Sequence, residues 1–454
     1  MTTISKLNNI AGNDLRAAVR YSLISRSIGL IIGALLVFIL PRYMNRVDLG
    51  LYYLYSALIG AYIIFESGLS YAGSQYLSRV ASKLNISKGA IEGEVSDVHE
   101  LQEQFILIFQ TIFRRIPVLI GAVVLVGLIY AVKDDKPFTS TIMLSWIVVA
   151  LTSALLMLSS SLETIFEGMG LLKVCNQAKL IRSILSGIVL LLVVIMISNP
   201  LAIAASFFFG SLTSIIYLQV KCNYKNWAFD GLTLTEIYMH PKSKTKSHLK
   251  FKDFSNKIRI SWISGYFIGS AYLPISGFFV TAETLAKFGF LQHIINATTS
   301  VATIGIQMST AYYGDAIKRG ATEKLHSIFL RTTVIAASAV GIIYSVVLII
   351  YNFKFDALGY VFNLLPDYGI VISCFIASFL SIITASQAAY VRAHHVDPYY
   401  LPALINAVLT PCVTMAACLL YNKDGIFLAY VFNVVVLSVF PSLFIYKRHQ
   451  KDSI

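Results

Sequence analysis

Residues 332–351 read TTVIAASAVGIIYSVVLIIY, twenty residues without a charged side chain. A helix of that length rises about 30 Å, the thickness of the hydrocarbon core of a bilayer. Residues 260–280, ISWISGYFIGSAYLPISGFFV, make a second such run. Both are continuous and lack the period-two alternation of a barrel strand, so they are read as helices. The whole chain agrees: 454 residues are 57% hydrophobic and 13% charged. Mean hydropathy is +0.72. A soluble domain carries about twice that share of charge, so soluble classes are excluded. The expected class is an all-α polytopic membrane protein.

Spans are expected near residues 21–40, 51–72, 116–132, 141–162, 180–198, 201–220, 260–280, 288–311, 328–351, 368–391, 400–420 and 425–446, twelve in all. With both termini cytoplasmic, 29 of the 36 Lys and Arg fall on the inner side. Only Arg42, Arg46, Lys133, Lys136, Lys287, Lys354 and Lys423 are left outside, the asymmetry that sets orientation. The net charge of +13 is thereby explained by anionic inner-leaflet lipids, with no nucleic acid partner. The first twenty residues are polar, so the first apolar run is read as a retained span. Five cysteines, scattered and without metal spacing, are expected as free thiols, and no cofactor is implied.

Two loops are long. Residues 82–104 mix charges and lead into FILIFQTIFRR (105–115), expected to lie along the inner interface. Residues 221–259 are basic and follow six spans. The organisation expected is 1–225 as one six-helix bundle, 226–258 as a basic cytoplasmic linker and 259–454 as a second bundle. The halves echo each other: RYSLIS (20–25) opens the first span and RISWIS (259–264) the seventh. Each is followed by an acid-bearing outer turn and an aromatic-rich helix, VDLGLYYL and AETLAKFGF. Six spans followed by six in the same orientation make a parallel repeat, an architecture of transporters.

The stretches ISRSIGLIIGALLVFILPRYMNRVDLGLYYLYSALIGAYIIFESGLSYAGSQYLSR (24–79) and SGFFVTAETLAKFGFLQHIINATTSVATIGIQMSTAYYGDAIKRG (276–320) carry a family resemblance. The sequence resembles Wzx-type O-antigen flippases, polysaccharide transporters of the multidrug/oligosaccharidyl-lipid/polysaccharide exporter superfamily. The resemblance implies two six-helix bundles in the bacterial cytoplasmic (inner) membrane. It also implies transfer of a lipid-linked oligosaccharide, usually on undecaprenyl pyrophosphate, to the outer leaflet, with a coupling proton or sodium ion and glycan polymerase partners left open. Two other classes stay open: a cation-coupled drug or metabolite antiporter of the same superfamily, and a membrane glycan polymerase. The short, nearly uncharged outer loops count against the polymerase.

Glu66 is the candidate that stands out, an acid alone in an apolar run and about 22 Å from the outer end of its span. The family's dependence on cavity charges carries over to it alone. Arg26 reaches a similar depth on the preceding span, so the two are expected to pair, as a structural ion pair or as one lining a transport cleft. Ser56, Gly60, Ile63, Ser67, Ser70 and Ser74 form a small, mostly polar stripe beside Glu66. His293, near Gln292 and Asn296, is either a buried imidazole bonded to a neighbouring helix or a proton- or sugar-responsive group. Arg20, Arg182, Arg259 and Arg331 stand at inner span ends. The positive-inside rule predicts them there, and they also suit a vestibule for a lipid pyrophosphate. Glu163 and Glu167, one turn apart, are expected at a solvated helix end, and His394, His395 and Asp397 are not read as a metal site.

Overall fold

The computed structural model describes residues 2–81, 83–87, 90–133, 140–223, 259, 262–318, 321–353, 359–394 and 398–452. The expected linker 226–258, together with His395 and Asp397, lies outside them. The described residues are almost wholly helical, and nine of their helices are long and apolar enough to cross a membrane. The protein is a multi-pass membrane protein. Its helices are α1 (Thr2–Tyr43), α2 (Arg46–Gly60), α3 (Tyr62–Glu66), α4 (Leu69–Ala81), α5 (Val95–Lys133), α6 (Ser140–Gly168), α7 (Leu172–Ile197) and α8 (Ala202–Cys222) in the first half. Helical residues 262–269 then lead to α9 (Tyr272–Ser276), α10 (Ala282–Lys318), α11 (Thr322–Phe353), α12 (Gly359–Phe362), α13 (Tyr368–Ala393), α14 (Tyr400–Tyr421), α15 (Gly425–Phe432) and α16 (Phe440–Asp452).

Local chemistry sets several ends. Asn45 accepts the backbone N–H of Asp48 at 2.9 Å, the capping pattern that opens α2. Ser198 closes α7 in the left-handed region, and Asn199 Oδ1 then accepts the N–H of Leu201 at 2.8 Å to start α8. Along α11, Ile335, Ile342 and Ile349 recur every seven residues and are exposed, the stripe of a helix that faces lipid.

By contacts the chain divides into two units: Met1–Gly29 with Leu58–Ile263, and Leu30–Ala57 with Ser264–Ile454. Division at residue 225 does not anticipate that residues 30–57 group with the second half. Glycine explains the grouping. A Cβ at Gly50 would stand 2.0 Å from the Ala282 carbonyl oxygen, and one at Gly289 would stand 2.4 Å from the Tyr53 ring. Only hydrogen lets those backbones approach. Arg46 forms an ion pair with Glu283 beside them, and Tyr266 donates to the Ala57 carbonyl at 3.1 Å.

The first unit is held by small residues between helices. Ser153, Ser161, Ser211 and Ser214 are fully buried, and a Cβ at Gly168 would meet the backbone of Ser74. The segment 105–115 does not lie on the membrane interface as expected; it is part of α5, and Leu101, Phe105, Ile108 and Ile112 are buried in the unit. Their spacing of four and three residues makes one helical face that packs on α4 and α6. Ahead of α5, β1 (Asn85–Ser87) and β2 (Ala90–Glu92) form a short antiparallel hairpin with Ile86 opposite Ile91. In the second unit Tyr430 packs edge to face on Tyr272 and Phe288, and Phe427 does so on Phe288, with Tyr272 and Tyr430 centroids 5.6 Å apart. A second aromatic cluster joins Tyr313, Phe329, Tyr399 and Tyr446.

Candidate functional site

The expected second span is broken at Glu66. Ser67 (φ 45°) and Gly68 (φ 68°) turn the chain through the left-handed region between α3 and α4. Such a break leaves carbonyls open at one helix end and N–H groups at the next. Both sets are satisfied by charged groups. The Glu66 side chain, 4% exposed, accepts the N–H of Gly68 at 2.8 Å, the N–H of Ser70 at 2.6 Å and the Ser70 hydroxyl. A carboxylate at the start of α4 also meets the positive end of its dipole. Arg115 of α5 serves the other end: its Nη1 donates to the carbonyls of Phe65 at 2.7 Å and Glu66 at 2.9 Å and to Ser67 Oγ at 2.8 Å.

Arg259, also in the first unit, acts electrostatically on Arg115, as Glu66 does. The Nε–H of Arg259 is buried without a hydrogen-bond partner. Sequence reasoning named Arg259 but passed over Arg115. Its signal was the ArgArg pair before the third span, which the positive-inside rule accounts for without any site.

A second charged group lies in the same unit. Glu163 is not at a solvated end as expected: it is 1% exposed, and Arg182 Nη2 stands 3.0 Å from its Oε2, whereas Glu167 is part-exposed. Ser214 Oγ donates to Glu163 Oε1 at 2.6 Å, and Ser159 Oγ lies 3.3 Å from the same oxygen. One turn away Lys179 Nζ is 2.6 Å from Glu167 Oε1. The pairs match because α6 and α7 run antiparallel, so residues 163 and 167 meet 182 and 179. The solvated reading failed because the partners sit on the next helix, beyond the reach of local spacing. Tyr62 of α3 donates to Ser160 at 3.4 Å and feels the charges of Arg182, Glu66 and Glu163.

The other expected residues are dispersed. Arg20 and Arg26 are exposed on the part of α1 that belongs to the first unit, and Arg331 is exposed on α11 of the second. His293 of α10 lies 3.0 Å from the Gly33 carbonyl through Nε2, which therefore carries the proton, and its ring is 6.3 Å from that of Tyr53.

No protein-family model matches the chain, and no curated protein matches it by sequence. Solved structures do resemble it. One is the lipid II flippase MurJ in an inward closed conformation, with TM-score 0.60 and 11% identity over 95% of this chain and 87% of that one. Another is an inward-facing multidrug resistance MATE family transporter of the MOP superfamily, with TM-score 0.58 and 13% identity over 95% of this chain and all of that one. The chain shares their helical membrane-protein fold.

Proposed function

We propose that the protein is a flippase that carries a lipid-linked oligosaccharide, on undecaprenyl pyrophosphate or a similar polyprenyl pyrophosphate, from the cytoplasmic to the outer leaflet of a bacterial inner membrane by alternating access. The observations that carry this reading are Arg115, whose guanidinium sits on the carbonyls of the broken second span, and Arg259 of the same unit, whose buried Nε–H has no acceptor. Like charges in a low-dielectric setting repel strongly, and an anion with several oxygens relieves the repulsion. Guanidinium forks fit pyrophosphate in two-pronged fashion. Arg20 and Arg26 add positive charge to the same unit. The fold likeness to a lipid II flippase supports the same substrate class. Coupling to a proton or sodium ion and hand-over to a glycan polymerase belong to this reading, with O-antigen as the product class.

The test is flipping of a fluorescent polyprenyl-pyrophosphate oligosaccharide by the purified protein in liposomes. Arg115→Gln and Arg259→Gln are each expected to slow flipping about tenfold or more, as the loss of one charge-assisted hydrogen bond allows. Wild-type rates in both variants would overturn the arginine assignment. In cells, deletion is expected to strand repeat units on the cytoplasmic leaflet. Likeness to the MATE transporter favours a second reading, a cation-coupled antiporter. Efflux of organic cations without any flipping of the pyrophosphate lipid would select it.

A further inference from the structure

In an unbroken helix the Ser70 N–H would meet the carbonyl of Glu66, four residues back. At the break in the second span it goes instead to the Glu66 side chain, with 2.6 Å to Oε1. The Glu66 carbonyl takes Arg115 Nη1 in its place, at 2.9 Å. One backbone hydrogen bond is thus replaced by two bonds to groups of opposite charge. The same guanidinium nitrogen holds the carbonyl of Phe65 at 2.7 Å, and Oε2 of the same carboxylate accepts the Gly68 N–H at 2.8 Å. The left-handed turn at Ser67 and Gly68 keeps the two halves of the missing bond apart.

The two charges depend on each other. An anion that draws the part-exposed Arg115 away opens the Phe65 and Glu66 carbonyls and leaves the buried carboxylate without the cation that acts on it. A lone buried charge is the costly state. A proton from solvent turns that carboxylate into a neutral acid, and the Ser70 N–H is then free for the Glu66 carbonyl. With both charges withdrawn the backbone bond closes, and residues 62–81 become one helix. We propose that Glu66 is the proton site of this protein, and that it takes its proton when a pyrophosphate takes Arg115, the two events being joined by closure of the helix between α3 and α4. The inference rests on the flippase reading, which supplies the anion.

The surroundings of Glu66 suit a proton. Three donors already point at its oxygens, so a metal cation there would face N–H and O–H groups of like polarity. Arg115 comes from α5, and Arg259 acts on Arg115 in turn. From α6 comes Glu163, which Arg182 of α7 neutralises, and from α4 comes Ser70. Tyr62, on the helix of Glu66 itself, feels Glu66, Glu163 and Arg182 and donates to Ser160. Anion and proton both favour the closed helix, so each tightens the binding of the other. The proton therefore travels with the lipid and does not exchange for it. The pyrophosphate keeps net negative charge beside one proton, and an inside-negative potential favours its outward passage.

The experiment uses the purified full-length protein in detergent, as wild type, Glu66→Gln and Gly68→Ala, with geranyl pyrophosphate as the probe. It is run at mildly alkaline pH, where the probe is already ionised. Calorimetric titrations in two buffers with different heats of ionisation count the protons taken up on binding. Wild type is expected to take up about one proton per probe bound, and Glu66→Gln none. Gly68→Ala penalises the left-handed turn and leaves the closed helix unstrained, so it is expected to bind the probe about tenfold more tightly. Binding to wild type without proton uptake, uptake that persists in Glu66→Gln, or equal affinity of wild type and Gly68→Ala would each overturn the inference and leave the flippase reading standing. Inorganic pyrophosphate is run in parallel. Proton-linked binding of the inorganic ion without binding of the ester would keep the inference and take the lipid out of the flippase reading; binding of neither would remove both. Should Glu66→Gln fail to fold, uptake by the wild type and the affinity of Gly68→Ala still decide.

Discussion

Arg182 and Glu163 meet between α7 and α6 with 3.0 Å from Nη2 to Oε2, on a carboxylate almost sealed from solvent. Burying both charges costs several kcal/mol, and their attraction offsets this only while both are present. Removing one partner is therefore worse than removing both. Glu163→Gln or Arg182→Met alone is expected to destabilise by about 3–5 kcal/mol, and the double variant by much less. Thermal unfolding of the four proteins in one detergent checks this; additive losses would rule out the pair as the cause.

Gly68 holds φ 68° at the break in the second span, a conformation that costs other residues about 1–3 kcal/mol. Gly68→Ala is expected to lower stability by that order. Glu66→Gln keeps one acceptor oxygen but turns an amide N–H₂ toward at least one of the donors, Gly68 N–H or Ser70 N–H, and is expected to cost about as much. If instead Glu66 is held by Arg26, as its depth in the sequence suggests, Arg26→Gln should reproduce the loss and the double variant should restore it. Comparing Tm and flipping for the three variants separates the local partners from the arginine.

Gly50 has the Ala282 carbonyl where its Cβ would be, whereas Gly121 and Gly305 have open space. Gly50→Ala is expected to destabilise by about 1–3 kcal/mol through overpacking. Gly121→Ala and Gly305→Ala, both inside helices, are expected to be neutral or to stabilise by up to about 1 kcal/mol. Equal shifts in the melting temperature at all three sites would contradict the close approach.

Topology follows from the asymmetry of 29 inner to 7 outer Lys and Arg. Lys447→Cys is expected to react with a membrane-impermeant maleimide only after the cells are opened, and Lys423→Cys in intact cells. The reverse pattern would invert the protein.

The spans were legible because a run of twenty apolar residues has few other uses, as 332–351 shows. The break at Glu66 was half legible: an acid in an apolar run announces a special position, and SerGly after it permits the turn, yet nothing local reveals that Arg115 supports the carbonyls. Glu163 was misread for a related reason. Its partner lies 19 residues on, across a helix turn-round, and a carboxylate near a span end looks the same whether solvated or paired. The grouping of residues 30–57 was out of reach, since Gly50 and Ala282 are 232 positions apart and hydrogen leaves no compositional trace.

The hydrogen bonds that the Glu66 carboxylate accepts come from no farther than Ser70 along the chain. During synthesis, a span enters the membrane before most of its neighbours exist, and an ionised acid within it resists that step by up to about 3 kcal/mol. Donors supplied by the next four residues are already in place when the segment leaves the ribosome. The SerGly turn thus gives the second span a means of entering the lipid alone, and it predicts that an isolated segment 46–81 inserts better with Gly68 than with alanine there.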